Sequence, residues 1–476
     1  MKLNVIIRFS KAAVVRSLSG ILFLVYSLQA DGQAKEILTT DRFIEQVKLY
    51  HPLARQAGIL VEKAEASLLA ARGNFDPVFE MNYEDKTFTG LNYYRYNNPE
   101  IKLPLINGVT VKSGIEDIGG AYTNPELSKG VTSYLGVEVL LLKGLLTDKQ
   151  RTLLRQAKVY KMQSVQEQEN MLNDLLLDAY VAYWHWAAGW QLYNVYTRYL
   201  DLAQKRMNLV RTAFNNGDRS MADTIEAYTQ LQQYNILRNE AAVALNYSYY
   251  ELALYLWNER EEPYFLADNY MPDINSFNTS FPLPALDSLE KELIAHHPLL
   301  SAYALKTQTL EMERKLKWQN LLPVVNVKAN LLTKDYYSNP AFTQYYLSNN
   351  YKLGLNIKVP LFLRQARGEL RQAKLKIKEN NLSLVQKTAE LRTKLKKYYN
   401  EFILYDRQIK AAAALKSNYA SLLKMEEIKF TQGESSLFLV NSRENKLLET
   451  EQKLVELTAK YFKAYYALHW VAGVLN

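Results

Sequence analysis

The 476-residue chain has no cysteine. Disulfides, thiolate chemistry, cysteine-bound zinc and a lipid-modified N-terminal cysteine are therefore excluded. Histidine is scarce: the five are His51, His185, His296, His297 and His469, and none forms a His-x-x-x-His pair. Helix-end and packing roles suit them better than a metal or an imidazole-based catalytic site, and neither metal nor other cofactor is expected. After the N-terminus no stretch of about 20 predominantly apolar residues occurs, so no transmembrane helix is expected. A place in a membrane would then require a closed barrel, the other structure that satisfies every backbone group in lipid. Concentrated charge is also missing. The net charge is +9, of which residues 1–32 carry +3, and the remaining basic residues are spread along helical segments. That pattern describes solvated helix faces and no nucleic-acid partner.

The N-terminus has the three parts of a secretory signal. Basic residues run to Arg16, an apolar segment runs from Leu18 to Leu28, and Ala30-Asp31-Gly32 supplies small residues for cleavage after Gly32, with Ala30 and Ala34 as alternative sites. The mature chain is expected to leave the cytoplasm.

One stretch occurs twice. Arg155-Gln156-Ala157-Lys158 stands 59 residues ahead of Phe214-Asn215-Asn216-Gly217, and Arg371-Gln372-Ala373-Lys374 stands 59 ahead of Phe430-Thr431-Gln432-Gly433, an offset of 216. Each copy follows an alternating segment and runs as an unbroken helical pattern to its glycine. From Asp148 to Asn215 this predicts a helix of roughly 100 Å at 1.5 Å per residue. Upstream, an offset of 246 aligns Asp41 with Asp287, His51-Pro52-Leu53 with His297-Pro298-Leu299, and Pro77-Val78 with Pro323-Val324. Leu353-Gly354 likewise matches Leu135-Gly136. The mature chain is thus one unit duplicated.

The order within the unit is short helices, strand, loop, strand, very long helix, tight turn and returning helix. The expected divisions are signal 1–32, first short helices 33–76, first β-hairpin with a long extracellular loop 77–140, first helical hairpin 141–257, and a Pro-rich linker 258–286. The second copy follows as short helices 287–322, β-hairpin 323–360 and helical hairpin 361–476. Asp41, Thr147 and Asp287 are the expected helix caps, the last two opening capping boxes. Pro52 is expected to kink or restart its helix. Strands are read from period-two alternation at Val78, Phe79, Met81 and Tyr83, at Ser133 to Leu140, after Pro323 and at Tyr351 to Val359. Between the first two lies a segment rich in Tyr, Asn, Gly and Pro, a long loop or an extended hairpin, in which Val109 to Lys112 also alternates. The aromatic middle of the first long helix, Tyr180, Tyr183, Trp184, Trp186, Trp190, Tyr193 and Tyr196, has a lesser match at Tyr398, Tyr399, Phe402 and Tyr405. Packing is its expected role, with ligand stacking as the alternative.

Four strands cannot close a barrel alone, and open edges in lipid cost several kcal/mol per unpaired backbone group. Three chains would supply twelve strands. Tyr83, Tyr93, Tyr94, Tyr336, Tyr337, Tyr345, Tyr346 and Tyr351 suit an interfacial girdle, and equally surface loops.

The duplicated plan, the strand openings at Asn74-Phe75-Asp76-Pro77 and Asn320-Leu321-Leu322-Pro323, the junctions Leu140-Leu141-Leu142-Lys143-Gly144 and Val359-Pro360-Leu361-Phe362, and the turns at Gly217 and Gly433 resemble the TolC-like outer membrane efflux proteins. The resemblance covers about residues 36 to 475. It implies an α+β membrane protein and a homotrimer, with a twelve-stranded transmembrane β-barrel in outer-membrane lipid and a periplasmic α-barrel of long helical hairpins. It further implies a passive exit duct serving an inner-membrane pump through a periplasmic adaptor protein. The docking tip carried over is Asn216, Gly217, Asp218, Arg219 and Ser220 with Gln432, Gly433, Glu434, Ser435 and Ser436. All ten also serve as plain turn and cap residues. A candidate acidic gate falls on Asp223 and Glu226, six and nine positions after the first tip glycine. The second repeat departs from it with Leu439 and Ser442. A solvated helix face explains the same carboxylates.

The alternative is a soluble periplasmic coiled-coil scaffold or adaptor. It explains the hairpins and the signal, but not membrane-length strands at duplicated positions. An exported enzyme finds no nucleophile elbow, phosphate loop or carboxylate pair in a recognisable context.

Overall fold

A computed structural model describes residues 36–106, 108–122, 128–144, 147–267, 269–333 and 350–475. The signal peptide and Tyr336, Tyr337, Tyr345 and Tyr346 lie outside the described residues. The first repeat holds β1 (Glu36–Leu38), α1 (Thr40–Tyr50), α2 (Pro52–Gly73), β2 (Val78–Phe88), β3 (Leu91–Pro104), β4 (Val109–Gly119), β5 (Gly130–Leu142), α3 (Lys149–Asn215) and α4 (Met221–Ala253). A linker with β6 (Tyr270–Pro272) leads to α5 (Leu286–His296), α6 (Pro298–Gln319), β7 (Val324–Thr333), β8 (Tyr351–Lys358), α7 (Arg364–Thr431) and α8 (Leu437–Ala472). Internal contacts divide the chain into two units, and α3 and α7 each contribute residues to both.

One unit, built from residues 53–175, 284–399 and 468–476, contains the sheet. Among the described residues six strands pair in the order β2-β3-β4-β5-β7-β8, each antiparallel to its neighbour. This corrects the expectation of four strands per chain. The segment between the first two expected strands is no loop but a further hairpin, β3 and β4, paired on both sides. β2 turns into β3 through Thr89 and Gly90, both at positive φ (52° and 79°). Positive φ at both central residues gives the hairpin turn that matches strand twist. The core of this unit is aliphatic, with Leu289, Leu293, Leu300, Leu391, Leu395 and Leu468 buried together.

The other unit, residues 36–52, 176–283 and 400–467 of those described, holds an aromatic core. Trp184 stacks on Phe462 at 3.6 Å between ring centres, Phe281 on Tyr465 at 3.7 Å and Tyr180 on Tyr466 at 3.7 Å. Tyr183 is fully buried, and its hydroxyl donates to the Leu38 carbonyl at 2.7 Å. The aromatic stretch of the long helix is therefore packing. The Pro-rich linker takes part: β6 pairs parallel with β1, and Phe277 and Phe281 enter the ring cluster.

Both His-Pro joints restart a helix. Proline lacks an N–H and has a preset φ, so it opens α2 and α6 at no hydrogen-bond cost. His297 is 3% exposed, and its Nδ1 accepts the Leu299 N–H at 3.1 Å. Burial pushes its pKa down to about 4. His51 is shifted the same way by burial, opposed by a backbone hydrogen bond with Leu254. Three expected caps are corrected. Thr39, not Asp41, caps α1, accepting the Arg42 N–H at 3.3 Å. Asp148, not Thr147, caps α3, accepting the Arg151 N–H at 2.7 Å, because the helix begins one residue later than the box required. At α5 the helix begins at Leu286 after Ala285 without a side-chain cap, which places Asp287 inside the first turn, where its charge suits the helix dipole.

Candidate functional site

Two places concentrate features that packing alone does not require. The first is the sheet. The strand registers put odd-numbered residues of all six strands on one face and even-numbered residues on the other, apart from a shift at Lys86/Thr87. The odd face is largely apolar and open: Phe79, Met81, Val137, Leu353, Leu355 and Ile357 are all exposed. The even face carries charge in cross-strand pairs. Lys102 on β3 bonds Glu80 on β2 and lies 2.7 Å from Glu100, while Lys112 on β4 bonds Glu138 on β5. Lys328 on β7 approaches the same Glu138 at 3.9 Å, and Asn326 donates to it at 2.7 Å. The Tyr134 hydroxyl donates to Glu100 at 2.9 Å, and Gly114 makes the room: a Cβ there would stand 2.6 Å from that hydroxyl. The sheet thus has one largely apolar, open face and one face of cross-strand ion pairs.

The second place is the pair of helical turns. Gly217 and Gly433 have φ of 84° and 79°, with nothing near where a Cβ would stand. Each ends its helix in the same way. Asp218 N–H donates to Ala213 at 2.9 Å and Gly217 N–H to Phe214 at 3.0 Å, while Glu434 donates to Lys429 at 2.9 Å and Gly433 to Phe430 at 3.2 Å. This is the glycine-ended stop that satisfies the last carbonyls. Asn216, Gly217, Asp218, Ser220, Gln432, Gly433, Glu434 and Ser436 are exposed, with Arg219 and Ser435 half-buried. The structure brings the two turns together. Arg219 donates to the Phe430 carbonyl at 3.1 Å, and its guanidinium lies 4.1 Å from the Phe430 ring centre. Ser435 bonds Glu426 within its own hairpin.

Asp223 and Glu226 are both engaged. Asp223 completes a capping box with Ser220, its N–H donating to Ser220 Oγ at 3.1 Å and its carboxylate accepting the Ser220 N–H at 3.2 Å. Glu226 accepts from Asn441 at 3.0 Å, beside Arg206, which bonds the buried Glu444. Sequence reasoning missed this Arg206–Asn441–Glu444 cluster. Arg206 lies over 230 positions from Asn441 and Glu444, on the other hairpin, so no local spacing announces the cluster.

The profile of the family described as outer membrane efflux protein matches residues 289–474, which is the second repeat. The second repeat is thus similar in sequence to outer membrane efflux proteins. A likeness in fold to solved outer membrane channels extends over the first repeat as well. The CmeC outer membrane channel of Campylobacter jejuni covers 91% of this chain and 85% of its own, with a TM-score of 0.64 at 13% identity. VceC, an outer membrane protein of Vibrio cholerae, gives 0.63 at 13% identity over 91% of this chain and 95% of its own. The open MtrE outer membrane channel of Neisseria gonorrhoeae gives 0.64 at 13% identity over 91% and 89%. No curated protein matches the sequence. These structural likenesses show that the chain shares the fold of solved outer membrane channels. Among the described residues no helix is long and apolar enough to cross a membrane, and no group of acidic and histidine side chains could hold a metal ion.

Proposed function

We propose that the protein is the passive outer-membrane exit duct of a tripartite efflux or secretion system. The observation that carries this reading is the two-faced sheet. Its exposed apolar face suits lipid, and its face of cross-strand ion pairs suits a watery lumen. Three copies would share one barrel, and their long helices would line a periplasmic conduit. The conduit performs no chemistry of its own; a pump supplies the energy. The exposed turns at Gly217 and Gly433 are the surfaces offered to a periplasmic adaptor. Their matching backbone geometry gives a trimer six near-equivalent contact points.

The test is negative-stain imaging of protein extracted from outer membranes in mild detergent. A threefold cylinder with a detergent belt at one end is expected. A monomer, or a rod without a belt, would overturn the duct and leave a periplasmic scaffold. The acidic gate at Asp223 and Glu226 belongs to the same proposal. Asp223→Asn with Glu226→Gln should lower cation selectivity in planar bilayers, and unchanged selectivity removes the gate.

A further inference from the structure

Among the described residues the sheet ends in two strands with an open edge each, β2 of 11 residues and β8 of 8. Both are exposed along nearly their whole length. A seam inside the chain shows how such edges meet. β5 leaves the first repeat's sheet segment and β7 enters the second's, and they pair antiparallel from Ser133 opposite Thr333 to Leu142 opposite Val324. The duplication transfers this seam to the open edges. Pro323-Val324 corresponds to Pro77-Val78, so β7 maps onto β2; Leu135-Gly136 corresponds to Leu353-Gly354, so β5 maps onto β8.

We propose that β2 of one copy pairs antiparallel with β8 of a second copy, Asn82 opposite Asn356, so that three copies close a barrel of eighteen strands rather than twelve. The proposal rests on the reading of the chain as a trimeric duct. β3 and β4, of 14 and 11 residues, are full members of the sheet and raise each copy's share from four strands to six. The transferred register keeps both faces continuous across the seam. On the polar face Glu80 falls opposite Lys358, and Glu80 already bonds Lys102 on its other side. The row of opposite charges thus runs on into the next copy, as favourable cross-strand pairs do. On the apolar face Met81 falls opposite Ile357 and Tyr83 opposite Leu355, all four exposed in the single chain. Lys86 meets Lys352, with Glu84 diagonally between them. A slip of one residue would turn Lys358 toward the apolar row, so the register is strongly specified.

The natural chain has no cysteine, so paired thiols report only where they are placed. Asn82→Cys/Asn356→Cys and, separately, Glu80→Cys/Lys358→Cys are oxidised in outer membranes and run on denaturing gels without reductant. Either pair should give covalent dimers and trimers that collapse to monomer on reduction. Each single variant, and the opposite-face pair Tyr83→Cys/Asn356→Cys, should stay monomeric. A ladder from Lys112→Cys/Asn356→Cys instead would mean that β4 meets β8, leaving twelve strands and overturning the proposal. A link within one chain, or no link in protein recovered from the outer membrane as a trimer, overturns the seam and leaves the duct standing. Absence of the unoxidised variants and of the natural chain from outer membranes removes both.

Discussion

The two repeats agree where the backbone must turn and differ where the sheet can grow. Their tips share one hydrogen-bond pattern, and their His-Pro joints restart helices at the same point. Among the described residues their sheet segments do not match: four strands in the first, two in the second. A turn fixes a handful of dihedrals and tolerates little change. A meander accepts a whole hairpin, because two antiparallel strands restore the direction in which the chain leaves. β5 therefore still delivers the chain to α3 as β8 delivers it to α7.

The comparison can be broken most strongly in the returning helices. Phe462 lies against Trp184 and Phe281 in the aromatic core, while Asn246, its counterpart at the offset of 216, is exposed. Phe462→Ala is expected to cost about 3–5 kcal/mol. Asn246→Ala should stay within about 0.5 kcal/mol. Urea unfolding in detergent, followed by tryptophan emission, measures both. Equal losses would mean that the repeats share the load after all.

The joints give the next largest difference. Burial holds His297 neutral in the folded state, so its contribution is fully present above about pH 6.5 and is lost as pH falls toward about 4. That shift corresponds to roughly 3 kcal/mol. Unfolding midpoints taken from pH 7 to pH 4 should fall, and His297→Asn should flatten the curve in that window. His51→Asn should flatten it less, because the Leu254 backbone hydrogen bond offsets part of its shift. The smallest effect lies at the tips. Ser220 has the reciprocal Asp223, whereas the Ser436 hydroxyl accepts a long contact from the Leu439 N–H at 3.4 Å. Ser220→Ala should cost about 1 kcal/mol and Ser436→Ala less, read from the same unfolding curves.

Much of this plan was legible in the residues. The long helices end at Asn215 and Thr431, where the glycine turns demand it. β2, β5, β7 and β8 were visible because one face is apolar and the other polar. β3 hid because Asn97 and Pro99 interrupt its apolar face, while Asn98 and Glu100 are buried on the other. Alternation of hydropathy fails when polar side chains line both faces. The tip residues were legible as turn chemistry. The clasp of Arg219 on Phe430 was not, since it joins positions 211 apart.

The β5–β7 seam also bears on how the chain assembles. β2 to β5 are near neighbours in sequence and can form as a local meander. The seam joins residues about 180 to 200 positions apart, with both helices of the first hairpin in between. Pairings of such high contact order form slowly. Until β7 is in place β5 therefore presents a naked edge, the kind of surface on which wrong partners assemble. The order of synthesis, meander first and seam last, makes this the interval in which a chaperone would matter most.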